Sequence, residues 1–257
     1  MCELFGFSGK ALSSINEELK AFFSHAASNP DGWGLYLKSG NGSVLYKEAV
    51  RADRSSKLSS FLKDKVETTD AVAHIRLATI GYDDLKNTHP FTGRDLSGRE
   101  WVLAHNGTVF EGDLISGYFY EQEGDTDSER ILLYLMDLID KEITGSGGPL
   151  SFEQRFDVIE KMAVDLSPDN KLNLLIYDGE VLYAHSNYPG SLYYSDTPGG
   201  IMICTAPEDK KGWGPVPYGR LNAFLKGKLI RTGERESAEY VPDEKNLNAL
   251  YLVYSGL

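Results

Sequence analysis

The sequence predicts an α+β chain, and three observations lead there. Short apolar or alternating runs crowd the N-terminal part of the chain. Two long amphipathic segments, 127–143 and 151–166, interrupt them. The remaining residues return to short strand-like runs. Strands grouped on either side of a helical pair suggest helices packed on sheet faces.

Residues 3–8 are apolar and alternate in part. Residues 33–38 and 44–48 flank Ser39-Gly40-Asn41-Gly42, a hairpin signature. Residues 71–76 (Ala-Val-Ala-His-Ile-Arg) and 101–105 (Trp-Val-Leu-Ala-His) are apolar runs ending in polar groups. Both read as buried strands that deliver side chains to a site at their ends. A helix is expected over 13–25, with Ser14 near its start and Glu17 and Glu18 in its first turn. Another is expected over 55–65. In 127–143, Ile131, Leu132, Leu135, Leu138 and Ile139 form a stripe, and Thr126-Asp127-Ser128-Glu129 brings capping chemistry to its mouth. In 151–166, Phe152, Phe156, Ile159 and Ala163 share a face. Runs 172–177 and 181–185 read as a tight hairpin across Asp178-Gly179. Strands at 191–195, 200–205, 221–225 and 228–231 complete the chain.

The 257 residues carry 26 Lys and Arg against 38 Asp and Glu, a net charge of -12. Such a surface repels nucleic acid and anionic membranes, so neither is expected as a partner. No apolar run is long enough to span a bilayer. Met1-Cys2-Glu3-Leu4-Phe5-Gly6 lacks the basic flank and apolar stretch of a signal peptide, and a cytoplasmic location is expected. Without repeats, low-complexity stretches or a linker, residues 1–257 are expected to form a single domain. The two cysteines differ in character: Cys204 sits in an apolar run as a buried strand residue, and no disulfide scaffold is expected.

Cys2 is preceded only by Met1, whose removal would join a thiol and a free α-amine on one residue. The amine could then act as base for the thiol, because its ordinary pKa is about 7.7–8.0. The other polar segments at strand ends are His74-Ile75-Arg76-Leu77-Ala78-Thr79, His105-Asn106-Gly107 and Thr126-Asp127-Ser128-Glu129. Two loop-like stretches, Asp31-Gly32-Trp33-Gly34 and Asn87-Thr88-His89-Pro90-Phe91, are rich in turn residues. Each has a plain structural reading as well. Asn106-Gly107 is a common turn dipeptide, Arg76 suits a structural ion pair, Asp127 suits a helix N-cap, and Trp33 is either core or pocket wall. His74, His89 and His105 lack the spacing of a metal site and read as structural.

In this order, beginning with a cysteine at position two, the segments resemble the class II glutamine amidotransferases, which are N-terminal-nucleophile hydrolases. The motifs run from Cys2 to about Glu129. The chain is most similar to the compact stand-alone branch, where Trp213-Gly214-Pro215-Val216-Pro217 also has a counterpart, so the resemblance covers nearly the whole chain. It implies a four-layer αββα sandwich of two antiparallel sheets flanked by helices. It also implies that Cys2 attacks the γ-carbonyl of glutamine or of a γ-glutamyl amide, with Asn106 and Gly107 holding the oxyanion. Arg76 and Thr79 would bind the α-carboxylate and Asp127 the α-ammonium. No cofactor or metal is implied.

Ile80 stands where sugar-phosphate-linked relatives commonly carry a histidine, so strict glutamine specificity does not follow. Nothing in the sequence looks like a fused ammonia-consuming domain, so a separate synthase subunit is the expected recipient. The alternatives are a γ-glutamyl amide hydrolase acting on a biosynthetic intermediate and a non-catalytic glutamine-sensing module.

Overall fold

A computed structural model of the protein describes residues 2–40, 42–78, 83–110, 112–207 and 209–243. The N-terminal elements are β1 (Glu3–Ser14), α1 (Asn16–Ser24), β2 (Trp33–Ser39), β3 (Gly42–Glu48), α2 (Ser56–Phe61) and β4 (Glu67–Ile75). Next come β5 (Phe91–Arg94), β6 (Glu100–Thr108), α3 (Asp113–Ser116), α4 (Asp127–Ser146) and α5 (Phe152–Leu166). The last are β7 (Lys171–Tyr177), β8 (Leu182–Ser186), β9 (Tyr193–Asp196), β10 (Gly200–Cys204), β11 (Gly214–Pro215), β12 (Asn222–Leu225) and β13 (Lys228–Thr232).

Among the described residues the strands form two antiparallel sheets. One has seven strands in the order β11-β9-β10-β1-β4-β2-β3, and the other six in the order β13-β12-β8-β7-β6-β5. Three hydrophobic clusters show how the layers stack. Leu4, Val72, Val102, Leu175 and Ile203 fill the space between the sheets. Phe5, Phe7, Leu35, Ala73 and Ile75 face the other way and pack with Leu19, Phe22 and Phe23 of α1. Trp101, Leu103, Leu174 and Ile176 pack with Ile131, Leu135, Phe156 and Ile159 of α4 and α5. Successive side chains on a strand point to opposite faces, so β1 and β6 each feed two cores at once. The result is the expected four-layer αββα architecture.

Several boundaries differ from the sequence expectation. Ser13 and Ser14 belong to β1, where they pair with Thr68 and Glu67 beyond a register shift, and α1 begins only at Asn16. The second helix stops at Phe61, because the Asn16 side-chain amide donates to the Leu62 and Asp64 carbonyls and turns the chain toward β4. The edge strand β5 is too short for periodicity to reveal. The hairpin at Asp178 is wider than two residues, since Tyr177 pairs with Leu182. Asp178 is fully buried there; its carboxylate accepts from Arg155 Nε at 2.7 Å and the Tyr183 hydroxyl at 2.8 Å, tying α5 to the β7–β8 hairpin. No helix among the described residues is long and apolar enough to cross a membrane.

Candidate active site

Cys2 immediately precedes β1 and shares side-chain parity with Leu4, which points between the sheets. β4 runs antiparallel to β1 with Glu3 opposite Ile75, so residues leaving β4 pass the start of β1. The Cys2 sulfur accepts from Leu77 N at 3.2 Å and lies 3.1 Å from Leu77 O, to which the thiol donates. Burial raises the thiol pKa, while the Leu77 amide and the Arg76 guanidinium pull it down. With burial the largest influence, the sulfur carries its proton near neutral pH and needs a base to lose it.

Arg76 is brought to the same place by the Asp31-Gly32 turn. Arg76 N donates to Gly32 O at 2.8 Å, Asp31 N to Arg76 O at 3.0 Å, and Ala78 N to Asp31 Oδ2 at 2.7 Å. Gly32 has φ +138°, a conformation that favours glycine. Arg76 is only 3% exposed and pairs with Asp83 at 3.1 Å, a carboxylate that is 60% exposed.

Asn106 and Gly107 are not a turn. They lie within β6, opposite Asn173 and Leu172 of β7. Asn106 has the parity of Val102 and Ala104, faces the inter-sheet space, and donates from Nδ2 to the Cys2 carbonyl. Gly107 is required by close approach rather than by positive φ: a Cβ there would strike the Lys171 carbonyl and the His105 ring.

Asp127 is not the cap of its helix. Thr126 is the N-cap, and its side chain accepts from Glu129 N at 3.3 Å. Asp127 is free to turn toward the end of β6, where Oδ2 accepts from Val109 N at 2.8 Å and Oδ1 from the Ser128 hydroxyl at 3.1 Å. Ser128 also meets His105 Nδ1 at 2.9 Å, and His105 Nε2 lies 3.1 Å from Lys171 O. A carbonyl can only accept, so the Nε2 of His105 carries a proton. Burial keeps this ring below its ordinary pKa, while Asp127 pulls the other way. Cys2, Arg76, Gly107, His105 and Asp127 thus line one small cavity.

The structure decides between the two readings of Trp33. Trp33 is 1% exposed and packs edge-on against Phe23, so it belongs to the core under α1 and not to the cavity wall. Thr79, expected to help hold a carboxylate, lies outside the described residues, as do Met1 and Ile80. Cys204 is buried in β10, as expected, and burial pushes its thiol up to about 12.

His89 also lines the cavity, and its Nδ1 lies 2.9 Å from Nε2 of the buried His74. Burial first, and neighbouring cations second, lower His74 to about 3 and His89 well below its ordinary value. Burial likewise lowers His185 to about 4. In the unfolded chain each ring would take a proton near pH 6.5. The unfolded state therefore binds more protons as pH falls, and stability declines from about pH 6.5 downward, in the window reaching to about 3 for His74. The expected cost at pH 5.5 is about 1.4 kcal/mol per such histidine relative to neutral pH. Asp70, raised to about 6 by burial, acts in the opposite sense and offsets part of it. Urea midpoints at pH 7.0 and 5.5 check this; equal midpoints would contradict the buried neutral rings.

Residues 1–198 match the family model for class II glutamine amidotransferases. An uncharacterized protein of Methanocaldococcus jannaschii is 27% identical over 91% of this chain and 72% of its own. The gamma-glutamyl-hercynylcysteine sulfoxide hydrolase of Mycolicibacterium smegmatis is 25% identical over 75% of this chain and 77% of its own. The crystal structure of a predicted glutamine amidotransferase from Pseudomonas aeruginosa superposes with a TM-score of 0.66 at 21% identity, covering 90% of this chain and 100% of the other. At that identity the likeness shows the shared fold.

Proposed function

The chain belongs to the class II glutamine amidotransferase family, and from that premise we propose that it cleaves a γ-glutamyl amide through a thioester on Cys2. The observation that carries this reading is the convergence of Cys2, Arg76 and Asp127 on one cavity, each from a different element. With Met1 removed, the Cys2 amine takes the thiol proton and the sulfur attacks the γ-carbonyl. The C–N bond then breaks, and the amine leaves with that proton. Water next breaks the C–S bond and frees glutamate.

Asn106 has two amide hydrogens. One is held by the Cys2 carbonyl, which leaves the second, with Gly107 N–H, for the developing oxyanion. Arg76 receives the substrate α-carboxylate in bidentate fashion. Asp83 yields that place readily, because an exposed carboxylate returns to water at little cost. Asp127, already turned into the cavity, receives the α-ammonium. Thr79 completes the carboxylate clamp.

The substrate is glutamine or a γ-glutamyl compound with a larger amine. The activity that the Mycolicibacterium relative is named for supports the second. If glutamine is the substrate, a separate synthase takes up the ammonia. We place the protein in the cytoplasm as one domain.

A diazo-ketone analogue of glutamine tests the reading. One adduct on Cys2, only in protein that has lost Met1, is the expected result by intact-mass and peptide analysis. Ligand binding with Cys2 unmodified would overturn it and favour a glutamine-sensing module.

A further inference from the structure

The substrate's amine half has its own candidate wall. β6, which carries Asn106 and Gly107, lies between β5 and β7 in its sheet. The helix bearing Asp127 packs on β5 and β6, to one side of that pair. On the other side stand Lys171, the first residue of β7, and Tyr188, which follows β8. Lys171 has the parity of Asn173 and Leu175, so its side chain enters the inter-sheet space beside Asn106. It is 7% exposed, and its ammonium lies 4.9 Å from the centre of the Tyr188 ring. Burial lowers its pKa to about 8 while the Cys2 sulfur acts in the opposite sense, which leaves it mostly cationic near neutral pH.

The wall is also held in place. Tyr240 packs edge-on to Tyr188 and stacks on Phe110 with ring planes 8° apart. Asn170 Oδ1 accepts from Phe110 N at 2.6 Å, and Asn187 O accepts from Tyr240 N at 2.8 Å. Three separate segments thus support the Tyr188 ring that faces this buried cation. Ammonia, the leaving group from glutamine, would use none of this.

We propose that Lys171 and the Tyr188 ring form a leaving-group subsite for an amine that carries a carboxylate, so that the preferred substrate is a γ-glutamyl amide of an amino acid. This rests on the γ-glutamyl thioester reading above. With the carbonyl oxygen held by β6, the glutamyl chain runs toward Arg76 and Asp127 and the amide nitrogen points toward Lys171. The Cys2 amine passes the thiol proton to that nitrogen as the C–N bond breaks, and a free amino acid departs. Water then completes the hydrolysis.

The test compares γ-glutamyl-alanine with γ-glutamyl-alaninamide, which has nearly the same shape but no carboxylate. The wild-type protein is expected to favour the acid in kcat/KM by about 10-fold or more, the usual worth of a charge-assisted hydrogen bond. Lys171→Met should bring the ratio close to one, and Lys171→Arg should restore it. A wild-type ratio near one, or a ratio that survives Lys171→Met, overturns the proposal alone. Turnover of neither compound, together with no diazo-ketone adduct on Cys2, overturns the thioester reading and the subsite with it. The wild-type ratio needs no variant, so misfolding of Lys171→Met leaves a decisive result.

Discussion

Replacing Cys2 with alanine is expected to lower γ-glutamyl hydrolysis by at least about 10⁴-fold, the scale on which loss of a nucleophile acts when the rest of the site survives. Stability should change little, because among the described residues the Cys2 thiol hydrogen-bonds only to the Leu77 backbone and alanine keeps its Cβ. Protein that retains Met1 should be as inactive as Cys2→Ala while keeping its thiol. In that form the α-amine of Cys2 is a peptide nitrogen and cannot accept a proton. Intact mass paired with a glutamate-release assay separates the two cases. Hydrolysis by Cys2→Ala at more than about one per cent of the wild-type rate would contradict the nucleophile assignment.

Gly107→Ala is expected to produce the second largest effect, and on two readouts. Its added methyl would meet the Lys171 carbonyl, a backbone atom that moves only if β6 and β7 separate. Overpacking of this kind costs about 1–3 kcal/mol, which should appear as a lower urea midpoint. The same shift withdraws the Gly107 N–H from the oxyanion and should lower kcat by about 10²–10³-fold. Asn106→Ala, by contrast, should lower kcat over a similar range with a smaller loss of stability, since it removes a side chain without forcing the strands apart. A Gly107→Ala protein with wild-type kcat would show that this amide does not touch the reacting oxygen.

Much of the candidate site was legible in the sequence because its polar residues end apolar runs in a fixed order along the chain. A cysteine behind the initiator, an arginine ending one apolar run, an Asn-Gly pair ending another and an aspartate at a helix mouth were each ambiguous alone, and their order, through its resemblance to the class II amidotransferases, singled out Cys2, Arg76, Asn106, Gly107 and Asp127. The family match over residues 1–198 includes the same stretch. Strand interiors were legible too, since β2, β4 and β6 carry apolar runs. Their ends were not. β1 continues past residue 8 into Lys10 and Ser14 because backbone pairing with β4 and β10 does not require apolar side chains.

The tertiary structure decided which of two roles a residue plays. Asn106-Gly107 has a turn-like sequence, yet pairing with β7 keeps it extended. Asp127 has a cap-like sequence, yet Thr126 caps the helix and leaves the carboxylate to face β6. Trp33 stood between core and cavity until the parity of β2 put it under α1. Lys171 carries no motif at all: a lysine at the start of a strand is ordinary in sequence, and only the β6–β7 register places it opposite Thr108, at the end of the strand that carries Asn106 and Gly107. The sequence alone determined the chemistry present, because side-chain identity sets what a group can donate, accept or attack. Only the folded chain decided what each group faces, because strand pairing and sheet stacking bring together residues that are far apart along the chain.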